Sequence, residues 1–340
     1  MSASAAKPKS ARSADVSELF PPMRFGEKVC LVAVCCVLLA PAITIGWWVV
    51  GPTDPFGAVT IVYHDNPLVA LVALIVFAGV GSSLATLAMR GRLTHFGVFA
   101  VGVGLSGLGL RGGDLTALLQ YEAGSPAARG AVFGSLAVDV LLWTLVPAVS
   151  FAACAVTEAW AGLTGPAGSN PVKDGAHQDR GVLTRWLKSS ADRTGAAAHW
   201  KTEFRHGPLA LVVTGVVAMV VIRMAVGRST GPVNPGQVCF AIGVGFWLGA
   251  LAAGQFARPA LSVWACLAVP VVALIGFVAA AANPELSGAL GWANEIVIIA
   301  PNALAKGLPV NYLAVGPAAA LLGVWTGQRL QRARAEAAES

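Results

Sequence analysis

The feature that most constrains this chain is a series of eight long apolar runs, at 28–50, 67–89, 94–111, 130–162, 208–226, 237–257, 259–282 and 308–328. About 20 apolar residues in a helix cross the hydrocarbon of a bilayer. The runs therefore predict an all-α fold, a polytopic transmembrane helical bundle of about eight helices. Charge agrees: 12% of the residues are charged, against about 25% in a soluble globular protein. So little polar surface excludes a soluble enzyme, a disordered chain and a nucleic-acid binder. The first run closes with Trp47 and Trp48, suited to the membrane interface. The fourth contains Pro147 and is too long for one straight span.

The runs divide the chain into an N-terminal arm (1–27), a first transmembrane half (28–164), a basic linker (165–207), a second half (208–328) and a tail (329–340). Eighteen of the 23 Lys and Arg residues lie on or beside the arm, the linker, the tail and the turns holding Arg90, Arg92 and Arg258. The remaining five are Arg111, Arg129, Arg223, Arg228 and Lys306. Positive charge concentrates on the cytoplasmic side, so both termini are expected there, in a multi-pass protein of the inner (plasma) membrane. Richness in Ala and Gly, with Arg favoured over Lys, suggests a bacterial source. The net charge of +6 is then topogenic. It implies contact with the bilayer and with anionic lipid headgroups on the cytoplasmic side, and no nucleic acid.

The linker opens with Gly165 and Pro166. It then places Val182, Leu183, Trp186 and Leu187 on one helical face beside Arg185 and Lys188, the pattern of a helix lying on the membrane surface. It is also the expected docking point for a protein partner. Ala40-Pro41-Ala42 resembles a signal-peptidase site, but the apolar run continues to Val50, so the first helix is expected to be retained. The six cysteines all lie in apolar runs and read as small buried hydrophobes.

The halves resemble each other. Asn66-Pro67 leads into Gly79-Val80-Gly81, and Asn234-Pro235 into Gly243-Val244-Gly245. Asp114-Leu115 to Leu119, then Tyr121-Glu122, matches Glu285-Leu286 to Leu290, then Trp292 and Glu295. Gly134 precedes Trp143-Thr144 by the same nine residues as Gly316 precedes Trp325-Thr326. Four helices per half predict two parallel repeats about an axis along the membrane normal.

Ionisable groups within the hydrocarbon are costly and point to function. Asp139 is the deepest, about 13 Å from the outer end of the fourth run at 1.5 Å per residue. It either pairs or takes a proton, and Arg111 and Arg223 are the candidate partners. Together the three form a candidate intramembrane polar site. Glu122 and Glu295 are candidates for an outer vestibule, and Glu158 reads as a headgroup-level carboxylate. Gly102, Ser106, Gly245 and Gly249 are candidate helix-packing positions.

No enzyme signature is completed. Gly102-Val103-Gly104-Leu105-Ser106-Gly107 matches Gly-x-Gly-x-x-Gly but lacks the β-strand that motif requires. Gly104-Leu105-Ser106-Gly107 resembles the Gly-x-Ser-Gly of rhomboid intramembrane proteases. However, no histidine follows His206 to act as base on a later helix. No catalytic residue, metal or cofactor is expected. Segment 285–306, bounded by Pro284 and holding Pro301, is expected to be an interfacial helix or a re-entrant hairpin. Two functions stand side by side: a channel or secondary transporter for a small solute, and a non-catalytic subunit or scaffold of a membrane complex.

Overall fold

A computed structural model describes residues 25–52, 57–89, 93, 95–113, 115–161, 194–227, 233–256, 262–286, 289–292 and 295–339. Its helices are α1 (Phe25–Val50), α2 (Pro67–Ala88), α3 (Phe96–Arg111), α4 (Leu115–Glu122), α5 (Pro126–Trp160), α6 (Thr194–Val226), α7 (Pro235–Phe256), α8 (Ser262–Ala282) and α9 (Pro309–Glu339). A π-helical stretch, Ala42–Gly46, interrupts α1. All but α3 and the short α4 are long and apolar enough to cross a membrane. The chain is a multi-pass membrane protein, and its fold is a helical bundle.

The centre of the bundle is α3. It is 16 residues long, about 24 Å, shorter than the roughly 30 Å of a bilayer's hydrocarbon. It is nonetheless buried over most of its length and has α1, α2, α5 and α9 around it. It runs antiparallel to α9: Gly109 lies beside Asn311, and the Phe99 ring sits 5.2 Å from that of Trp325. Glycines let this helix approach several neighbours at once. A Cβ at Gly97 would stand 2.5 Å from the Ser82 carbonyl oxygen of α2 and 2.6 Å from Cys154 Sγ of α5. A Cβ at Gly102 would stand 2.8 Å from the Ala314 carbonyl oxygen of α9.

The remaining helices arrange around this centre in a regular way. In the first half α1 packs along α3 and α2 along α5, and α2 also meets α3. In the second half α6 packs along α8 and α7 along α9. Between halves, α3 meets α9, α5 meets α8, and α5 touches α9. One end of the bundle carries the start of α1 and the end of α9. The other carries the described residues of the connections 57–66, 112–125 and 283–308, in which Ile61, Leu119 and Ala305 are buried.

The described residues of segment 285–306 do not form an interfacial helix. Pro284–Leu286 and Ala303–Lys306 form 3₁₀ turns, and between them β1 (Ala289–Trp292) pairs antiparallel with β2 (Glu295–Ile298), with Ala289 opposite Ile298. The physical reason is local. Ile296, Val297 and Ile298 are β-branched and favour extended backbone, while Pro301 would interrupt a helix running through the segment. The expected boundaries also move: α6 starts at Thr194, inside the linker, and α9 runs on through the tail to Glu339. Asp114 and the expected surface helix around 182–188 lie outside the described residues.

The packing of α3 makes two alanine substitutions behave oppositely. Gly97→Ala should destabilise the detergent-solubilised protein by about 1–3 kcal/mol, because the backbone facing it cannot yield. Gly134→Ala, with nothing within 4 Å of its Cβ, should leave stability unchanged or raise it by up to about 1 kcal/mol. Thermal unfolding of both variants checks this.

Candidate intramembrane polar site

Helix α5 presents one buried stripe, Val132, Leu136, Asp139, Trp143, Val146, Ser150, Cys154 and Thr157, at the three-and-four spacing of a helix face. Asp139 is fully buried on that stripe. The connection from α1 to α2 reaches down to it. Val59, Thr60 and Ile61 are themselves buried, and the Val59 amide donates to the Gly112 carbonyl at the end of α3 (2.8 Å). Gly113, at φ +75°, turns the chain away against the Gly57 carbonyl. The next two amides then converge on one carboxylate oxygen: Ile61 N–H and Val62 N–H donate to Asp139 Oδ1 at 2.8 and 3.1 Å. Successive amides aimed at one point form an anion-binding nest.

The other oxygen, Asp139 Oδ2, makes no close hydrogen bond among the described residues; the donor that faces the carboxyl is the indole N–H of the buried Trp143, one helical turn away. Pro147 has no amide proton to give the Trp143 carbonyl. A carboxyl, an indole N–H and a main-chain carbonyl thus share one stretch of α5. Chemically, Oδ1 is committed to the connection, whereas Oδ2 is the oxygen left to take a proton. A second polar group lies farther along the stripe. The Thr86 hydroxyl is 2.8 Å from the Ser82 carbonyl oxygen, to which it donates, and 3.3 Å from Cys154 Sγ. The apolar Val146, also buried, stands between the two groups.

The expected arginine partners lie elsewhere. Arg111 Nη1 donates to the Ile43 carbonyl within the π-helical stretch (3.1 Å), and its guanidinium lies 4.3 Å over the Trp47 ring. Arg223 is exposed in the last turn of α6. The segments carrying Glu122 and Glu295 do meet, α4 packing against β2. Glu122 itself is exposed. A cavity of about 10 Å³ beside α4, lined by Thr116, Val233 and Lys306 among others, has room for one water molecule. Glu158 is half-buried in the last turn of α5. Gly102 lies against α9. Gly245 and Gly249 lie against the α6 backbone at Ala218 and Thr214. The Ser106 hydroxyl turns back to the Val103 carbonyl of its own helix (2.6 Å).

Three polar pins escape sequence reasoning. Asn311, buried at the start of α9, accepts from Leu308 N–H (2.7 Å) and donates to the Gly109 carbonyl of α3 (2.8 Å), with Cys239 Sγ at 3.4 Å. Asn302 donates to the Gly276 carbonyl of α8 (3.0 Å) and accepts from Ala305 N–H. Lys306 Nζ donates to the Val226 carbonyl that ends α6 (3.1 Å), and burial holds its ammonium below the usual lysine range. The only sequence signal for any of these is an asparagine close to a proline at a helix start. Compared with protein-family models, curated protein sequences and solved structures, the chain matches none.

The nest at Asp139 predicts a contrast between two variants. Asp139→Asn keeps an acceptor for the Ile61 and Val62 amides and should unfold within about 1 kcal/mol of the parent. Asp139→Ala orphans both amides, and each buried unpaired donor costs about 1–3 kcal/mol. Thermal unfolding in detergent, read against the parent protein, measures both.

Proposed function

We propose that the protein moves a small solute across the membrane, as a channel or secondary transporter, with Asp139 as the group that takes up and releases the coupling proton. The observation that carries this reading is a fully buried carboxyl of which one oxygen alone, Oδ1, is held by backbone amides. An asparagine would satisfy the two amides without the cost of burying an ionisable group. A carboxyl whose second oxygen stays open is suited to binding a proton instead. In the charged form Oδ1 holds the Ile61 and Val62 amides with charge-assisted bonds, and the connection lies closed over α5. Protonation weakens those bonds and loosens the connection, opening a way in from that end.

The arrangement of neighbours supports two parallel four-helix repeats, divided as first half, linker and second half. Exchanging the halves turns the α3–α9 contact into α8–α5, both of which exist. Thr144 and Thr326 each donate to the carbonyl four residues back. By the same spacing Asp139 corresponds to the buried Leu321, so the proton site belongs to one half only. With the charge distribution read from the sequence, the termini face the cytoplasm at the inner membrane, and Asp139 lies toward the outside.

A second reading, a non-catalytic subunit or scaffold docking a partner through 165–207, draws on another observation. The membrane part of α9 is mostly buried, whereas α1, α2 and α6 present rows of exposed valine and leucine. Reconstitution separates the two. Proteoliposomes under a potassium diffusion potential, with a pH dye inside, should acidify faster than empty vesicles, and Asp139→Asn should fall to the empty-vesicle rate. Wild-type flux no higher than empty vesicles, together with a stoichiometric partner in mild detergent, would establish the scaffold instead.

A further inference from the structure

The buried stripe of α5 carries polar groups at both ends. Asp139 lies toward one end. Cys154 lies about 22 Å along the helix from it, at 1.5 Å per residue, near the end of the bundle where α1 begins and α9 finishes. There the start of α3 meets α2 and α5. Gly97, in the first turn of α3, sits on the Ser82 backbone and on Cys154 Sγ. The Gly97 and Val98 amides and the Thr86 hydroxyl face that sulfur. The Ser82 hydroxyl is fully buried and makes no hydrogen bond among the described residues. His95, two residues before Gly97, closes this corner. Its backbone is left-handed, at φ 59°, a region that residues other than glycine seldom enter, and such residues cluster at functional sites. Its ring stands edge-on to that of Phe151 of α5, centroids 4.9 Å apart. His95 Nδ1 is sealed from the surface without a hydrogen-bond partner among the described residues, yet the residue as a whole is only partly buried.

We propose that His95 is a proton-relay residue, passing the coupling proton between the buried stripe of α5 and the aqueous side at the start of α3. This rests on the reading of Asp139 as the group that binds that proton. Imidazole accepts a proton at one nitrogen and releases one from the other. Nδ1, turned inward, takes the proton arriving along the stripe. The proton on Nε2 then leaves, and the ring is neutral again with its tautomer exchanged, so no other reactant is consumed. On α5 the ionisable groups at this end are Cys154 and Glu158, the second one turn farther on. The described residues of α2 hold none, and the one in α3, Arg111, lies at its other end. Hydroxyls recur between the two stations: Ser150 and Thr86 each donate to the carbonyl four residues back, at 3.0 and 2.8 Å. The buried Val146 parts the Asp139 end from the His95 end. Each station therefore exchanges protons with its own side, and the apolar gap prevents a standing leak.

The test uses the full-length protein in the same proteoliposomes under a potassium diffusion potential. His95→Gly suits the left-handed backbone and deletes the ring, and its proton flux above empty vesicles should fall by roughly tenfold or more. Imidazole supplied on both sides should restore the flux, read against empty vesicles in the same buffer. Pyrrole, a ring of the same size without a basic nitrogen, should not. If His95→Gly does not give a monodisperse protein, His95→Asn, whose side chain also tolerates the left-handed region, should keep the parent's unfolding temperature and lose the flux. A wild type that carries protons while either variant matches its rate would overturn the relay and leave the Asp139 reading standing. So would a loss in His95→Gly that imidazole does not restore, or that pyrrole restores equally well. Wild-type flux no higher than empty vesicles would overturn both readings together.

Discussion

The structure depends on how closely α3 can be approached. A helix too short to span the hydrocarbon by itself is tolerable only where other helices, rather than lipid, surround its ends. Within a bilayer, helices gain little by hiding apolar side chains from one another, so association rests on close packing and on hydrogen bonds. Gly97 and Gly102 bring the backbones of α2 and α9 to within a side chain's breadth of α3. At the end of α3, the carbonyls of Gly109 and Gly112 accept from Asn311 and Val59. The close approach sets the distances, and these polar contacts at the helix end fix the register.

Asp139 is held by the same economy of polar groups. A connection folded into a membrane protein must find acceptors for its amides, because the medium supplies none. One carboxylate oxygen satisfies two consecutive amides at once, so a single side chain secures the connection.

Much of the architecture was legible in the sequence, because a bilayer imposes length and hydropathy on every span. Seven of the eight apolar runs became helices able to cross a membrane, and the eighth became α3. Asp139 stood out because a charge in such a run is rare. Its environment did not, because its donors lie 77 and 78 residues away and nothing in an Ile-Val dipeptide marks it as a nest. Arg111 is expected as a counterion because it lies toward the same, outer side as Asp139. Its partner is a carbonyl in α1, at a π-helical stretch that no periodicity reveals. The strand character of β1 and β2 is hard to foresee because short apolar segments carry too few residues to separate a helical period from an extended one.

The span of sequence separating these contacts bears on how the molecule is assembled. Spans enter a bilayer in the order in which they are made, yet the amides of Ile61 and Val62 wait for a carboxylate delivered by α5. The Gly109 carbonyl waits longer, since its donor Asn311 comes 202 residues later, on the last span of the chain. Until α9 arrives, the central helix has an open flank and unmatched polar groups at its end. Arrival of α9 therefore closes the last open flank of α3 and matches the carbonyl at its end.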